Sequence, residues 1–269
     1  MIRKVLIGVL AFSILTLAFQ VRQWTQPRIR ERFQPAVVKV VAYLQLANSE
    51  GKPVGVSSLV GTGLVIAGKY VLTAGHLVPR VLEVDMFGRT VELSITSVEV
   101  GITLPKPNKW GYYDMISAKV LVRGKDLVNE DWALLELEKP WPYSIYVEPA
   151  SAQIGDEVYL SFSTKTALMV LLRARVVSFI LQLQKAFIEY GIITFTKDPP
   201  RELLVLDRII IPGMSGSPVF DRKGRLIGIA TFAAGPICGV VPAAKFKNWI
   251  NKLYYTEELV KVVDEAVLW

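Results

Sequence analysis

Three short motifs, in the chain order histidine, aspartate and serine, contain the residue types that acyl transfer requires. His76, the only histidine, follows an apolar run; Asp131 begins another; and Ser215 stands in a Gly-Met-Ser-Gly turn. A serine hydroxyl is a weak nucleophile until a base takes its proton, and the base needs an acid that holds its tautomer and stabilises the imidazolium. The motifs therefore predict a nucleophile, a base and an acid.

The glycine before the serine motif predicts a second catalytic element. Gly213 permits a sharp turn, in which the backbone N–H groups of Gly213 and Ser215 can converge where a tetrahedral oxyanion would form. Each motif alone has an ordinary structural explanation, as a turn histidine, a strand-start aspartate or a Gly-Ser-Pro loop. Their combination predicts an active site in a cleft between two units.

Composition excludes several other classes of function. One cysteine, Cys238, and one histidine cannot form an internal disulfide or supply a zinc site, so we expect no metal and no cofactor. An α/β-hydrolase needs a histidine after its nucleophile, and none follows Ser215. The first 32 residues hold six basic side chains and one acidic, which leaves 25 basic and 23 acidic in the rest. This nearly neutral remainder argues against a nucleic-acid partner.

The N-terminal segment predicts a membrane anchor. Arg3 and Lys4 precede the apolar run 5–19, and Arg-rich sequence follows it. A signal peptide is the alternative, but the best small-residue cleavage site falls inside the run, which favours an uncleaved helix. We expect residues 1–32 to form an anchor and basic linker, with the remaining chain on the extracytoplasmic side.

The rest of the chain reads as many strands and little helix. Two prolines in Glu138–Pro142 suggest a linker between two groups of strands. The expected strands are Ala36–Leu46, Leu64–Thr73, Val91–Val100, Ala118–Val122 and Trp132–Leu137, then Val158–Phe162, Leu168–Phe179, Ile188–Phe195, Leu203–Ile211, Arg225–Phe232 and Cys238–Val241. We expect an all-β chain of two six-stranded antiparallel barrels, 33–140 and 141–241, with C-terminal helices over 242–269. The apolar run 168–181 is interrupted by arginines, so we expect a buried strand pair there and not a second membrane span.

These motifs resemble those of the chymotrypsin-like serine proteases, and most closely the bacterial high-temperature-requirement proteases. The similar stretches are Gly61–Leu77, Asp131–Leu137 and Ile211–Phe232, within a similar pattern from Phe33 to Leu253; residues 182–201 have no counterpart. The resemblance implies a chymotrypsin-like fold and a serine endopeptidase that acts on polypeptides through His76, Asp131 and Ser215. A catalytically silent binding module of the same fold is the alternative.

Three departures from that family qualify the expectation. Met214 replaces a polar residue, so activation by a newly cut N-terminus is not expected. Ser217 stands where many members have glycine, as in glutamyl-specific relatives, but the additional histidine that those relatives commonly use is missing. Only sixteen residues follow Leu253, so we do not expect the peptide-binding domain of the high-temperature-requirement group.

The resemblance also suggests a substrate pocket. Ile209, six residues before the nucleophile, cannot supply a carboxylate for Lys or Arg, and the strand after the nucleophile would place Ala230, Thr231 and Phe232 along one wall. We expect a preference for small or medium apolar residues before the cut bond. The alternative is that 182–201 lines the pocket with charges. Asp114 and Asp126 are the alternative acids, and the oligomeric state stays open.

Overall fold

The computed structural model describes residues 29–86, 89–107, 109, 113–125, 129–143, 145–163, 169–179, 184–189, 192–197, 202–208, 210–234 and 237–255. The expected anchor 5–19, the pocket residue Ile209 and the alternative acid Asp126 lie outside these residues. Within the described ranges, no helix combines the length and apolar character that a membrane crossing would need.

The first barrel contains the histidine and aspartate motifs. Its strands are β1 (Val37–Ala47), β2 (Pro53–Ile66), β3 (Tyr70–Thr73), β4 (Val81–Met86), β5 (Arg89–Pro107), β6 (Tyr113–Arg123) and β7 (Ala133–Leu137). They pair in the order β1-β2-β3-β7-β6-β5, and β1 also pairs with β5, which closes a six-stranded ring; β4 extends β5. Side chains alternate along each strand, so one set fills the interior.

The second barrel follows the serine motif's side of the chain. Its strands are β8 (Glu157–Ser163), β9 (Met169–Ser178), β12 (Leu204–Leu206), β13 (Pro218–Asp221), β14 (Leu226–Ala234) and β15 (Ile237–Pro242), closed in the order β12-β15-β14-β13-β8-β9. A separate hairpin, β10 (Gln184–Glu189) and β11 (Ile192–Lys197), lies between β9 and β12 in the chain. The expectation of an all-β fold with two six-stranded antiparallel barrels is confirmed.

Several strand boundaries differ from the expected ones. The expected strand 64–73 is the end of β2, a turn and β3, because Ala67 and Gly68 both adopt positive φ (51° and 62°) and reverse the chain. The expected strand 188–195 spans the hairpin of β10 and β11. The run 168–181 contains one strand, β9, instead of a strand pair; β9 pairs with both β8 and β12.

Residues 29–33, which the sequence places partly in a basic linker, form a helical turn packed on the protein. Ile29 and Phe33 are buried, and the ring of Phe33 stacks on that of Phe220 in β13 with centroids 4.0 Å apart. The Arg32 guanidinium donates to the carbonyl of Tyr146. This part of the expected linker therefore belongs to the folded body.

The C-terminal segment packs a helix against the first barrel. A 3₁₀ turn at Ala243–Lys245 leads into a helix over 247–255; residues 256–269 lie outside the described chain. Phe246 and Ile250 are buried, and the ring of Phe246 lies 5.9 Å from that of Trp132, next to Asp131. The helix therefore supports the strand that begins beside the predicted acid.

Candidate active site

Strand pairing brings the histidine and aspartate motifs together. β3 and β7 pair antiparallel with Thr73 opposite Ala133. His76 lies three residues beyond Thr73, in a 3₁₀ turn over Gly75–Leu77, and Asp131 lies two residues before Ala133. Because the strands run in opposite directions, both residues emerge at the same edge of the barrel.

Asp131 binds His76 at two points. Its Oδ2 lies 2.7 Å from Nδ1 of the imidazole, and its Oδ1 accepts the backbone N–H of His76 at 2.7 Å. The carboxylate is buried, whereas the histidine side chain is 37% exposed. A carboxylate that accepts the Nδ1 proton fixes the tautomer in which Nε2 is the free base.

A tight turn precedes Ser215. The Met214 N–H donates to the carbonyl of Ile211 at 3.0 Å, and Gly213 has φ +94°. Proline at the second position and a positive-φ glycine at the third are typical of a type II turn, which Pro212 and Gly213 satisfy. Met214 is 2% exposed, in the apolar interior of the second barrel. This explains the departure at 214: an apolar side chain anchors the turn where relatives use a polar one.

The backbone donors around the nucleophile divide into two sets. The N–H groups of Met214, Gly216 and Ser217 donate to the carbonyls of Ile211, Ala230 and Met214, respectively. The N–H groups of Gly213 and Ser215 donate to no acceptor among the described residues. Unpaired backbone donors are uncommon in folded proteins, and these two are the pair that the sequence predicts for an oxyanion hole.

Thr62 on β2 links the first barrel to this turn. Its N–H donates to the Ser215 carbonyl at 2.7 Å, and its hydroxyl donates to the Gly213 carbonyl at 2.9 Å. Its own carbonyl accepts the hydroxyl of Thr73 at 2.7 Å. Both threonines are fully buried. A chain of hydrogen bonds thus connects the strand that precedes His76 with the peptide groups on either side of Ser215.

Two glycines permit this close approach of the barrels. A Cβ on Gly216 would overlap the carbonyl oxygen of Thr62 and crowd the Thr73 hydroxyl. A Cβ on Gly61 would overlap Leu77 and lie 2.6 Å from the Ser215 carbonyl oxygen. Both positions therefore require the absence of a side chain, as well as the positive φ of +86° at Gly216.

The structure thus brings His76 and Asp131 into direct contact and ties the Ser215 turn to the same barrel edge. Between these residues, all of which are described, no hydrogen bond joins the Ser215 hydroxyl to the imidazole. The alternative acid Asp114 lies on β6 with an exposed side chain and makes neither contact to His76. Sequence reasoning missed Thr62 and Thr73; the only sign of Thr62 is its place between two glycines in the similar stretch.

The predicted pocket strand lies beside the nucleophile turn. Ala230 in β14 accepts the Gly216 N–H at 2.7 Å and donates its own N–H to the Ser217 carbonyl at 2.8 Å. Ala230 and Thr231 are buried, and Phe232 is half-buried. A register shift between Ala230 and Phe232 leaves Thr231 out of the pairing with β15.

Two other features near the second barrel are not part of this site. Grooves of about 440 and 250 Å³ share Glu157, Arg173 and Arg175, but Glu157 is already ion-paired with Arg173 and Arg222. Burial raises the pKa of the Cys238 thiol to about 12, which leaves it protonated and unreactive at neutral pH. Within the described chain, no group of three or more His, Cys, Asp or Glu could hold a metal ion.

Comparisons with known proteins follow the same direction. A family model described as the trypsin-like peptidase domain matches residues 61–229. Among solved structures, the active form of the Rv3671c protease from M. tuberculosis is 20% identical, with 84% of this chain and 83% of that chain covered and a TM-score of 0.51. The inactive form of the same protease is 20% identical, with 86% and 94% covered and a TM-score of 0.51. No curated protein sequence shows significant similarity to the chain.

Proposed function

The chain belongs to the trypsin-like peptidase family, and from that premise we propose that it is a serine endopeptidase that cuts polypeptides through an acyl-enzyme on Ser215. The observation that carries the proposal is the double contact of Asp131 with His76 at 2.7 Å, beside a turn whose Gly213 and Ser215 N–H groups are unengaged. These are the parts that the chemistry needs, in the arrangement it needs.

In the first half-reaction, Ser215 Oγ attacks the carbonyl carbon of the substrate, and its proton passes to His76 Nε2. The carbonyl oxygen becomes an oxyanion, which accepts hydrogen bonds from the N–H groups of Gly213 and Ser215. Asp131 stabilises the imidazolium. The C–N bond then breaks, His76 returns its proton to the leaving amine, and an ester on Ser215 remains.

In the second half-reaction, water replaces the amine. His76 takes a proton from the water as its oxygen attacks the ester carbon, and the same two N–H groups hold the new oxyanion. The bond to Ser215 Oγ then breaks, and the proton passes from His76 to that oxygen. The products are a carboxylic acid and the free hydroxyl.

We infer a preference for small or medium apolar residues before the cut bond. Ala230 and Thr231 lie beside the nucleophile turn and carry no charge, and Ile209 supplies none. The pairing of β13 with β14 ends at Ile229, so the backbone of β14 beyond it is placed to add an extended substrate strand. A peptide-library profile dominated by cleavage after charged residues would contradict this preference.

We also propose that residues 5–19 anchor the enzyme in a membrane, with the catalytic domain on the extracytoplasmic side. The basic flanks of that apolar run support the proposal. Because Ile29 and Phe33 are packed in the core, the test is deletion of residues 1–28, which should release an active protein from the membrane fraction. A truncated protein that stayed with the membrane would contradict the anchor.

A serine-directed fluorophosphonate tests the catalytic proposal directly. We expect the wild-type chain to be labelled, and Ser215→Ala to be neither labelled nor active, with an unchanged unfolding temperature. Ser217→Ala is the matched control, since this neighbouring hydroxyl has no proposed role. Equal labelling of wild type and Ser215→Ala would contradict the nucleophile, and an unlabelled wild type would favour the silent binding module.

A further inference from the structure

The first half of β2 is an unprotected sheet edge. Residues 53–61 pair with β1 on one side only, because β3 pairs with β2 only over Gly63–Ile66. Val54, Val56 and Val60 are 53%, 73% and 41% exposed. Open edges of apolar strands invite pairing with another chain, and proteins usually block them with charges, prolines or bulges.

The usual protections are missing where the edge nears the active site. No charged residue occurs between Pro53 and Ile66. The proline is the first residue of β2, and the register shift between β1 and β2 lies at Leu46 and Ala47, both at the end remote from Ser215. From Gly55 to Leu64 the register is unbroken, so this stretch is a regular strand.

The direction of the backbone groups on this edge follows from Thr62. Its N–H points away from β1, to the Ser215 carbonyl. In an antiparallel strand both backbone polar groups of a residue point to one side, and successive residues alternate. Val60, Ser58 and Val56 therefore direct their N–H and C=O groups to the open side, as three consecutive pairing positions that begin next to the nucleophile turn.

We propose that this edge, Val56–Val60, binds the part of the substrate polypeptide that follows the cut bond, as an added antiparallel strand. The inference rests on the proposed peptidase function. A chain whose earlier residues pair with β14 crosses Ser215 and leaves on the opposite side, where Val60 is the first open position. The uncharged edge and its exposed valines fit extended, uncharged, β-forming sequence, and three pairing positions reach about six residues beyond the cut bond.

A peptide series tests the edge on the full-length chain in detergent. Peptides share the residues before the cut bond and continue for two, four or six uncharged residues after it, while a short substrate with a coumarin leaving group reports basal activity. We expect kcat/KM to rise with length by about tenfold or more overall, mainly through KM. Val56→Pro removes one outward N–H and should abolish the later part of the gain, whereas Val56→Thr should keep it; both should match wild type on the short substrate.

Equal length dependence in Val56→Pro and wild type would overturn the proposal. So would a concentration-dependent dimer in light scattering that Val56→Pro dissolves, together with no gain from longer peptides, because the edge would then join two copies of the chain. If no peptide is cut, the proposed function has failed, and the edge is tested separately. In that case, anisotropy of a fluorescein-labelled six-residue peptide should show binding to Ser215→Ala and at least about tenfold weaker binding to Ser215→Ala with Val56→Pro; equal binding overturns the edge.

Discussion

The hydroxyl of Thr62 donates to the carbonyl of Gly213 at 2.9 Å, across the boundary between the two barrels. The residue that holds the turn therefore belongs to the barrel that carries the base. Because Thr62 also binds the Ser215 carbonyl, one side chain and its backbone constrain two alternate peptide groups of the nucleophile turn. The orientation of the peptide groups between them then depends on packing between the barrels.

The first prediction concerns this positioning role. Thr62→Val removes the hydroxyl but keeps the shape, so the Gly213 carbonyl loses its donor. We expect kcat to fall by about tenfold to hundredfold with little change in KM, because small misplacements of catalytic groups reduce rates by such factors. Steady-state kinetics on a short substrate measures it. Thr62→Ser keeps the hydroxyl and should restore most of kcat; equal losses in both variants would indicate a packing role only.

The second prediction concerns the acid. Asp131→Asn keeps the size of the side chain but offers the imidazole an ambiguous partner, which favours the wrong tautomer. We expect kcat to fall by about 10³- to 10⁴-fold. Asp114→Asn, on the exposed side of β6, should retain activity. The opposite result, with Asp114→Asn inactive and Asp131→Asn active, would reassign the acid, and an unfolding temperature recorded for each variant separates loss of chemistry from loss of fold.

A third prediction uses two buried hydroxyls with different surroundings. The Ser217 hydroxyl is fully buried without a protein partner, whereas the Thr73 hydroxyl is fully buried and bonded to the Thr62 carbonyl. Ser217→Ala should raise the free energy of unfolding by about 1 kcal/mol, and Thr73→Val should lower it by about 1–3 kcal/mol. Urea denaturation measures both. A loss of stability in Ser217→Ala would instead indicate a bound water as the missing partner.

The fourth prediction concerns acid stability. Glu136 on β7 lies 2.8 Å from both Lys119 and Lys69, whose hydrogen bonds, that of Lys119 first, lower its pKa from the usual 4.5. A lowered folded-state pKa stabilises the fold above pH 4.5, and that contribution is lost as pH falls through the folded-state pKa. Glu136→Gln should therefore be less stable than wild type at pH 7, with the difference shrinking toward pH 3.

The control for this pH dependence is Glu138→Gln, an exposed neighbour on the same side of the chain. It should match wild type at both pH values in urea denaturation. A difference between wild type and Glu136→Gln that stays constant from pH 7 to pH 3 would show that the ion pairs contribute no pH-dependent stability.

What the sequence could predict of the site was its chemistry. His76, Asp131 and Ser215 are recognisable because acyl transfer needs those residue types, and the glycine before the serine indicates unengaged backbone donors. Thr62 could not be identified in this way, since a hydroxyl that bonds a distant carbonyl leaves no periodic pattern. Its partner lies 151 positions away in the chain.

The strands that were missed share a physical reason. The first half of β2 contains Gly55, Ser57 and Ser58 and is exposed, so it lacks the alternation of apolar and polar residues that marks a half-buried strand. β13 begins directly after a Gly-Ser-Pro sequence that reads as a loop. Both strands depend on pairing partners far along the chain, and no local pattern reports those partners.

The docking of Ile29 and Phe33 on the body limits how far the enzyme could stand from a bilayer. If residues 5–19 are held in lipid, only residues 20–28 remain as a connection, and nine residues reach at most about 30 Å when fully extended. The active site would then work inside a thin shell above the lipid surface. Polypeptides that enter this shell, such as chains emerging from the bilayer or loops of its own membrane neighbours, would be cut in preference to those diffusing freely in the surrounding compartment.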